Sequence, residues 1–290
     1  ANALDWTLSS HEDDTEYVFQ NKQPVSAYDG TTLLGVFYIT DTDRKGDKIF
    51  DITCTDAIGL LGDDPYPDTY LNGANALTLA QDICDGYVVD MEAALQSKTV
   101  TGILKDCTRR TALQQLCFAL GAVADTSGTE AIKIFVLPDS NPTVLPTSRI
   151  RIGGSVTKAP VVPAIELTAH SYSTSGSGES VEINGVTYYD TKTVTRIDNP
   201  DVTAADKPNV VQVTDATLVS PSNVAEIAQH LYDNCVRRDT HNVKFRMDGE
   251  TIGDYITTVT PWGDTITGNY VRASLTLSGI TVSDAEVIGG

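Results

Sequence analysis

The chain has 290 residues, 41% of them hydrophobic, with 39 acidic against 20 basic side chains and a formal charge of −19. That length allows two or three compact units with cores large enough to need no staples. The acidity argues against non-specific nucleic-acid or anionic-membrane binding, where basic patches supply the affinity, and suits a solvated surface or a conduit wall that must not hold DNA.

The five cysteines (Cys54, Cys84, Cys107, Cys117, Cys235) are odd in number and none is spaced as C-x-x-C. Each lies in or beside an apolar pattern, so buried free thiols of a reducing compartment are expected. No run approaches the roughly eighteen apolar residues of a membrane span. The start, Ala1-Asn-Ala-Leu4, shows neither a signal peptide nor an initiator Met. A processed chain or a piece of a longer one is expected.

In chain order, Trp6–Phe19 is polar and acidic, with Tyr17-Val-Phe19 its one strand candidate. Leu33–Ile39 predicts a strand buried on both faces, and Asp41–Asp47 a loop. Phe50, Ile52 and Cys54, alternating with Asp51, Thr53 and Thr55, form the returning strand of an antiparallel hairpin. The loop invites a calcium reading, because Asp41, Asp43 and Gly46 match positions one, three and six of an EF-hand loop. Lys45 stands at the fifth position and Ile52 at the twelfth, where a bidentate Glu is required, so a solvated hairpin tip is expected.

Asp56–Leu61 reads as one helical turn ended at Gly62, and Asp63–Asp68 as an acidic loop made rigid by Pro65 and Pro67. Asn75 caps a helix running to about Asp85, with Leu77, Ala80, Ile83 and Cys84 facing the core and Gly86 ending it. Val100–Leu104 is a short strand. Thr108 caps the next helix, whose stripe of Ala112, Leu113, Leu116, Cys117 and Leu120 is closed by Gly121. Val123–Asp125 and Ile132–Leu137 follow as a small hairpin. Together these elements predict an α/β unit at 56–140.

Pro138, Pro142, Pro146, Pro160 and Pro163 mark the next stretch as a linker. Beyond it the chain turns to strand, with Ile165, Leu167 and Ala169 alternating with Glu166, Thr168 and His170. Ser173–Gly178 reads as a flexible tip. Asn184-Gly185 predicts a type I′ turn joining Val181–Ile183 to Val186–Tyr188. Thr191–Ile197 continues the sheet until Asp198-Asn-Pro-Asp201 breaks it. Asn209–Val213 and Ala216–Val219 read as two short strands about a tight turn. Ser220–Asn223 opens a helix with the stripe Val224, Ile227, Ala228, Leu231, Tyr232 and Cys235. In His241–Met247, Val243, Phe245 and Met247 face one way and Asn242, Lys244 and Arg246 the other. A Gly253-Asp254 loop, a Thr/Val strand and the Pro261-Trp-Gly-Asp264 turn follow. The strand Tyr270–Leu277, with Val271, Ala273, Leu275 and Leu277 on one face, comes last.

Residues arranged for chemistry are hard to find. None of the histidines (His11, His170, His230, His241) lies in H-E-x-x-H or has an acidic residue at ligand spacing on a shared helix face. Exposed or hydrogen-bonded histidines on the polar sides of strands are expected. Gly176-Ser177-Gly178 sits at a hairpin tip, which cannot hold the strained elbow a nucleophilic Ser needs. Neither G-x-G-x-x-G nor G-x-x-x-x-G-K occurs. A glycosidase needs only two carboxylates about 5–10 Å apart, and the many acids leave such a pair open. The expectation is a non-enzyme with no catalytic residue, no cofactor-binding residue and no metal ligand. Tyr188, Tyr189, Trp262, Tyr66 and Tyr70 are aromatic platforms for sugar rings or, more simply, packing residues. Tyr188 and Tyr189 point to opposite faces of one strand.

The segments VVQVTDATLVSPSNVAEIAQHLYDN, VKFRMDGETIGDYITTVTPWG and VRASLTLSGITVSDAEVIGG resemble the C-terminal portion of phage and prophage tail hub proteins. Thr108-Arg-Arg-Thr-Ala-Leu-Gln-Gln-Leu116, running on to Gly121, resembles the opening of that family's α/β insert domain. The resemblance implies an α+β, mainly β fold: two small antiparallel β-barrel domains with an α/β insert domain. The expected division is 1–55 as a first, incomplete barrel, 56–140 as the α/β domain, 141–163 as a Pro-rich linker, and 164–290 as a second barrel with a helix at about 222–236.

It also implies a structural baseplate hub in the virion tail, made in the bacterial host cytoplasm. In that family three subunits form a ring around the DNA channel and join the tail tube or distal tail protein to spike or fibre proteins. Cofactors, sequence-specific nucleic acid and a membrane span are not implied. The mechanism would be geometric, through self-association at strand edges, for which Leu33–Ile39, Val181–Tyr189 and Val271–Leu277 are the candidates. The acidic side chains are expected to gather on the inner wall. A cell-wall-degrading module and a carbohydrate-binding module are the alternatives.

Overall fold

The computed structural model describes residues 2–9, 19–46, 49–202, 209–278 and 280–290. The first sheet joins β1 (Ala3–Ser9), β2 (Pro24–Asp29), β3 (Thr32–Gly46) and β4 (Ile49–Thr55) in the order β1-β4-β3-β2, antiparallel throughout. The expected hairpin is present, but its arms run further. Asp41–Gly46 continues β3 instead of forming a loop, with register shifts between Ile39 and Asp41 and between Arg44 and Gly46. Polar residues hold a strand there because the ladder itself satisfies the backbone. Asp41 and Asp43 therefore line a strand, and Asp43 pairs with Lys45. Only one face of Leu33–Ile39 is buried: Phe37 and Ile39 meet Ile52 and Cys54 in a small core, while Val36 and Tyr38 stay half-buried. Tyr17 and Val18 lie outside the described residues, and Phe19 is in no strand.

The central unit runs through α1 (Ala57–Leu60), β5 (Pro65–Tyr66), β6 (Thr69–Asn75), α2 (Ala76–Ile83), β7 (Val89–Met91), α3 (Ala93–Gln96), β8 (Thr99–Leu104), β9 (Cys107–Thr108), α4 (Arg109–Leu120), β10 (Val123–Asp125) and β11 (Ile132–Phe135). Asp56, Asn75 and Thr108 cap α1, α2 and α4 by accepting from the backbone N–H of Gly59, Thr78 and Thr111. The helical stripes of α2 and α4 then meet around Ala80, Ile83, Leu113 and Leu116. The hairpin of β10 and β11 is joined by β7, which runs parallel to β11. Asp56 is buried and also accepts from Asn2 N (2.6 Å) and Thr126 Oγ1 (2.7 Å), tying the first sheet to this unit.

The stretch 141–163, expected as a linker, contains β12 (Thr143–Val144), a 3-10 turn (Thr147–Arg149) and β13 (Ile150–Lys158). Its prolines fall between these strands, where no ladder hydrogen bond is required of them. Leu145 is buried in an apolar cluster with Phe245 and Tyr270.

The next sheet comprises β14 (Ala164–Ser173), β15 (Ser180–Ile183), β16 (Val186–Asp198) and β17 (Val211–Val213) in the order β15-β16-β14-β17. Asn184 (φ 50°) and Gly185 (φ 80°) make the expected type I′ turn, with Ile183 opposite Val186. The stripe of α5 (Val224–Val236) packs on Ile165 and Leu167 of β14. Ala216–Val219 is a turn rather than a strand, closed by Val219 N bonding to Ala216 O at 2.9 Å. Leu218 points into the α/β core, whereas Ala216 and Val219 belong to the core under α5. A Cβ on Gly102 of β8 would stand 2.1 Å from the Thr217 carbonyl oxygen, so the two backbones touch there.

The last sheet adds β18 (Asp239–Arg246), β19 (Tyr255–Val259), β20 (Thr265–Ser278) and β21 (Ile280–Gly289), in the order β12-β19-β20-β21-β18-β13. The span 164–290 is therefore two sheets over separate apolar clusters, and the second takes both outer strands from the stretch expected as a linker. Val243 and Phe245 are buried as their alternation requires. A register shift between Tyr270 and Arg272 reverses the parity of β20. Ile266 and Tyr270 are buried before it, and Ala273 packs inward after it. Tyr270 meets Phe245 edge-on at 5.8 Å and shares a 2.6 Å hydrogen bond with Ser283 Oγ. The fold is α+β and mainly β, with curled half-barrel sheets and an α/β unit.

Candidate interaction surface

His170 is buried and hydrogen-bonded: α5 packs on the opposite face of β14, and at the strand's edge His170 N bonds to Val219 O. Its Nδ1 lies 2.8 Å from Asp190 Oδ2 and its Nε2 3.1 Å from the Thr214 carbonyl oxygen. His241 is also buried, since it shares the strand face of Val243 and Phe245. Its Nδ1 meets Thr258 Oγ1 at 2.7 Å, and burial lowers its pKa. His230 sits one turn after Glu226 on α5 with Nε2 and Oε1 3.9 Å apart, an i,i+4 pair on one helix face, contrary to the expectation that no histidine has such an acidic neighbour. His11 lies outside the described residues, and Ser177 is exposed between β14 and β15.

The five cysteines are free; burial pushes Cys54 up to about 11 and Cys84 and Cys117 up to about 12, so these thiols stay protonated. Among the described residues no three His, Cys, Asp or Glu side chains stand close enough to hold a metal ion. A cavity of about 330 Å³ between β8, α4 and the β14–β16 sheet has Glu179, Asp190 and Asp215 in its wall. Two of those carboxylates are engaged, Glu179 by Lys192 and Asp190 by His170.

The aromatic residues are spread apart. Tyr66 is buried and donates to Asp82 at 2.6 Å. Tyr70 and Tyr188 stack on each other with ring centroids 4.4 Å apart, and Asn184 Nδ2 donates to Asp68 O at 3.3 Å beside them. This seam joins the β15–β16 hairpin to the central unit. Trp262 is 61% exposed on the turn between β19 and β20.

What remains open is sheet edge. Among the described residues, β13 has β18 on one side only. Ala159 N bonds to Arg238 O, and by the alternation of an antiparallel ladder the N–H groups of Val156 and Lys158 point outward. On this rim Lys158 pairs with Asp239 at 3.3 Å. The expected edge Val181–Tyr189 is in part an edge: β15 is outermost, and β16 beyond Asp190 pairs with β14 alone. Val271–Ser278 pairs with β21 alone, because β19 stops opposite Asn269. Leu33–Ile39 is also an edge in part: β2 pairs along it, β4 reaches only Tyr38 and Ile39, and Gly128 N bonds to Leu34 O. The outer strands of that sheet are β1 and β2; in β1, Leu4, Trp6 and Leu8 alternate with Asp5, Thr7 and Ser9, a strand pattern absent from the expectation for this stretch.

No family model and no curated protein matches the sequence. Solved structures do. The fold is similar to a tail protein from Neisseria meningitidis MC58 over 99% of this chain and 87% of that one (TM-score 0.70, 12% identity). It is similar to the 43 kDa tail protein of prophage MuSo2 from Shewanella oneidensis over 99% and 89% of the two chains (0.67, 10%). The E. coli c3393 protein, a type VI secretion component described as structurally similar to the T4 tail proteins gp27 and gp5, matches over 99% and 69% (0.53, 9%). The chain thus has a phage-tail type of fold, mainly β with an α/β unit. Its architecture is that of the tail-hub proteins that its sequence resembles.

Proposed function

We propose that this chain is a structural hub component of a phage-type tail or baseplate, working by shape rather than by chemistry. The observation that carries the reading is the likeness to two prophage or bacterial tail proteins over nearly the whole of both chains. Three copies would close a ring in which the half-barrel sheets meet edge to edge, presenting β13, β15 and Val271–Ser278 to one another. The ring would surround the DNA channel, with a tail tube or distal tail protein above it and spike or fibre proteins below. Its place would be the virion tail, after synthesis in the host cytoplasm. Acidic side chains on the inner wall would repel phosphates and let the genome pass.

Light scattering and electron microscopy of the purified protein, alone and with the tail-tube protein of the same genome, test this. A three-fold ring is expected. A monomer under both conditions, or turnover of cell-wall glycan or peptide, would remove the proposal.

A further inference from the structure

We infer that Asn184 is a site of spontaneous deamidation, and that its conversion to a carboxylate releases the β15–β16 hairpin from the central unit. This inference stands on local chemistry and does not depend on the proposed function.

The chain holds two Asn-Gly pairs, Asn72-Gly73 and Asn184-Gly185. In both, the following glycine has no Cβ to block approach of its amide nitrogen to the asparagine side chain. They differ in what that nitrogen is doing. Gly73 N donates to Thr101 Oγ1 at 3.0 Å. In the type I′ turn the cross-strand bonds belong to Ile183 and Val186. Gly185 N–H makes no hydrogen bond among the described residues, and both turn residues are exposed.

The balanced chemistry needs only water and hydroxide. Hydroxide removes the Gly185 amide proton, and the nitrogen attacks Asn184 Cγ. The Cγ–Nδ2 bond breaks and ammonia leaves, closing a five-membered succinimide. Water then opens the ring at either carbonyl, giving aspartate or isoaspartate at position 184. At Asn72 the same attack first requires loss of the bond to Thr101, so that site is protected.

The consequence follows from the seam already described. Asn184 Nδ2 donates to Asp68 O at 3.3 Å, beside the Tyr70–Tyr188 stack. The new carboxylate cannot donate, and it brings negative charge against a carbonyl oxygen. It also faces the loop that carries the Asp68 carboxylate, which accepts from Asp106 N at 2.9 Å. The isoaspartyl product in addition lengthens the main chain by one carbon in a two-residue turn, which distorts the turn geometry that sets the hairpin register.

Incubation of the folded protein at mildly alkaline pH, followed by digestion and mass spectrometry, tests this. The Asn184 peptide should convert to two acidic isomers while the Asn72 peptide keeps its amide; in denaturant both should convert. Asn184→Gln, whose longer side chain disfavours ring closure, should lose the mass gain at that peptide. Asn184→Asp should reproduce the aged protein's faster hydrogen exchange in 69–75 and 180–189. An Asn184 peptide that stays intact while the denatured chain converts, or an Asn72 peptide that converts as fast, would overturn the inference.

Discussion

Arg149 and Glu250 meet at 2.6 Å across 101 residues of chain, with side chains only 10% and 6% exposed. Arg149 Nε also donates to the Arg246 carbonyl at 2.9 Å. This pair fastens the stretch before β13 to the loop after β18. Arg149→Met leaves a buried carboxylate without its partner and should lower stability by about 3–5 kcal/mol in urea denaturation. Adding Glu250→Leu should recover much of that loss, since the unpaired charge goes with it. A double variant no more stable than the single one would refute the coupling.

The same carboxylate sets an acid limit. Burial alone would raise its pKa, but the Arg149 guanidinium and the amides of Asp248 and Glu250 more than offset this and hold it below the ordinary value. A depressed folded-state pKa contributes stability above the unfolded value, and that contribution is lost as pH falls through the folded one. The Arg149→Met variant should show a flatter acid limb than the parent chain.

His241 acts at higher pH. Its folded-state pKa lies below the ordinary value because of burial, so the unfolded chain takes up the proton first as pH falls. Stability is then full above about pH 6.5 and declines below it, down to the folded-state value. Denaturation midpoints measured across that range should fall for the parent chain and fall less for His241→Gln. Equal slopes would exclude His241 as the cause.

Gly102 has no room for a methyl group, because Thr217 O lies 2.1 Å from where its Cβ would be. Gly102→Ala should force the strand and the 216–219 turn apart and cost about 3 kcal/mol or more. Calorimetry would show this as a lowered Tm. A Tm unchanged within error would mean that the two backbones part at little cost.

Val156→Pro tests the β13 edge. The Val156 N–H faces away from β18, so its loss breaks no ladder hydrogen bond and the monomer should keep its fold. A partner strand could not pair there. Ring formation should weaken while the thermal unfolding of the monomer barely moves; intact rings would remove β13 from the interface.

Much of this fold was legible wherever the pattern was strong. The caps at Asn75 and Thr108, the stripe of α5 and the Asn184-Gly185 turn are local signals, and the structure uses each as read. The polar strands were not legible. Pro24–Asp29 and Asp41–Gly46 carry little apolar alternation and become strands only through their neighbours. Val89–Met91 is too short to show a period, and its partner comes from Ile132–Ile134. The shift after Tyr270 hid a core tyrosine, since alternation read from Val271 onward puts Tyr270 on the wrong face. As for the interface, edge strands are a property of sheet order, and sequence alone named Leu33–Ile39 without β4, which covers its last two residues.

The placement of Leu218 between Ala216 and Val219 has a practical corollary for anyone wishing to dissect this molecule. A piece cut at 56–140 would lack one of its own interior side chains, and the remainder would carry that leucine bare to water. Excision must bring the 216–219 turn along, or supply an apolar substitute for it.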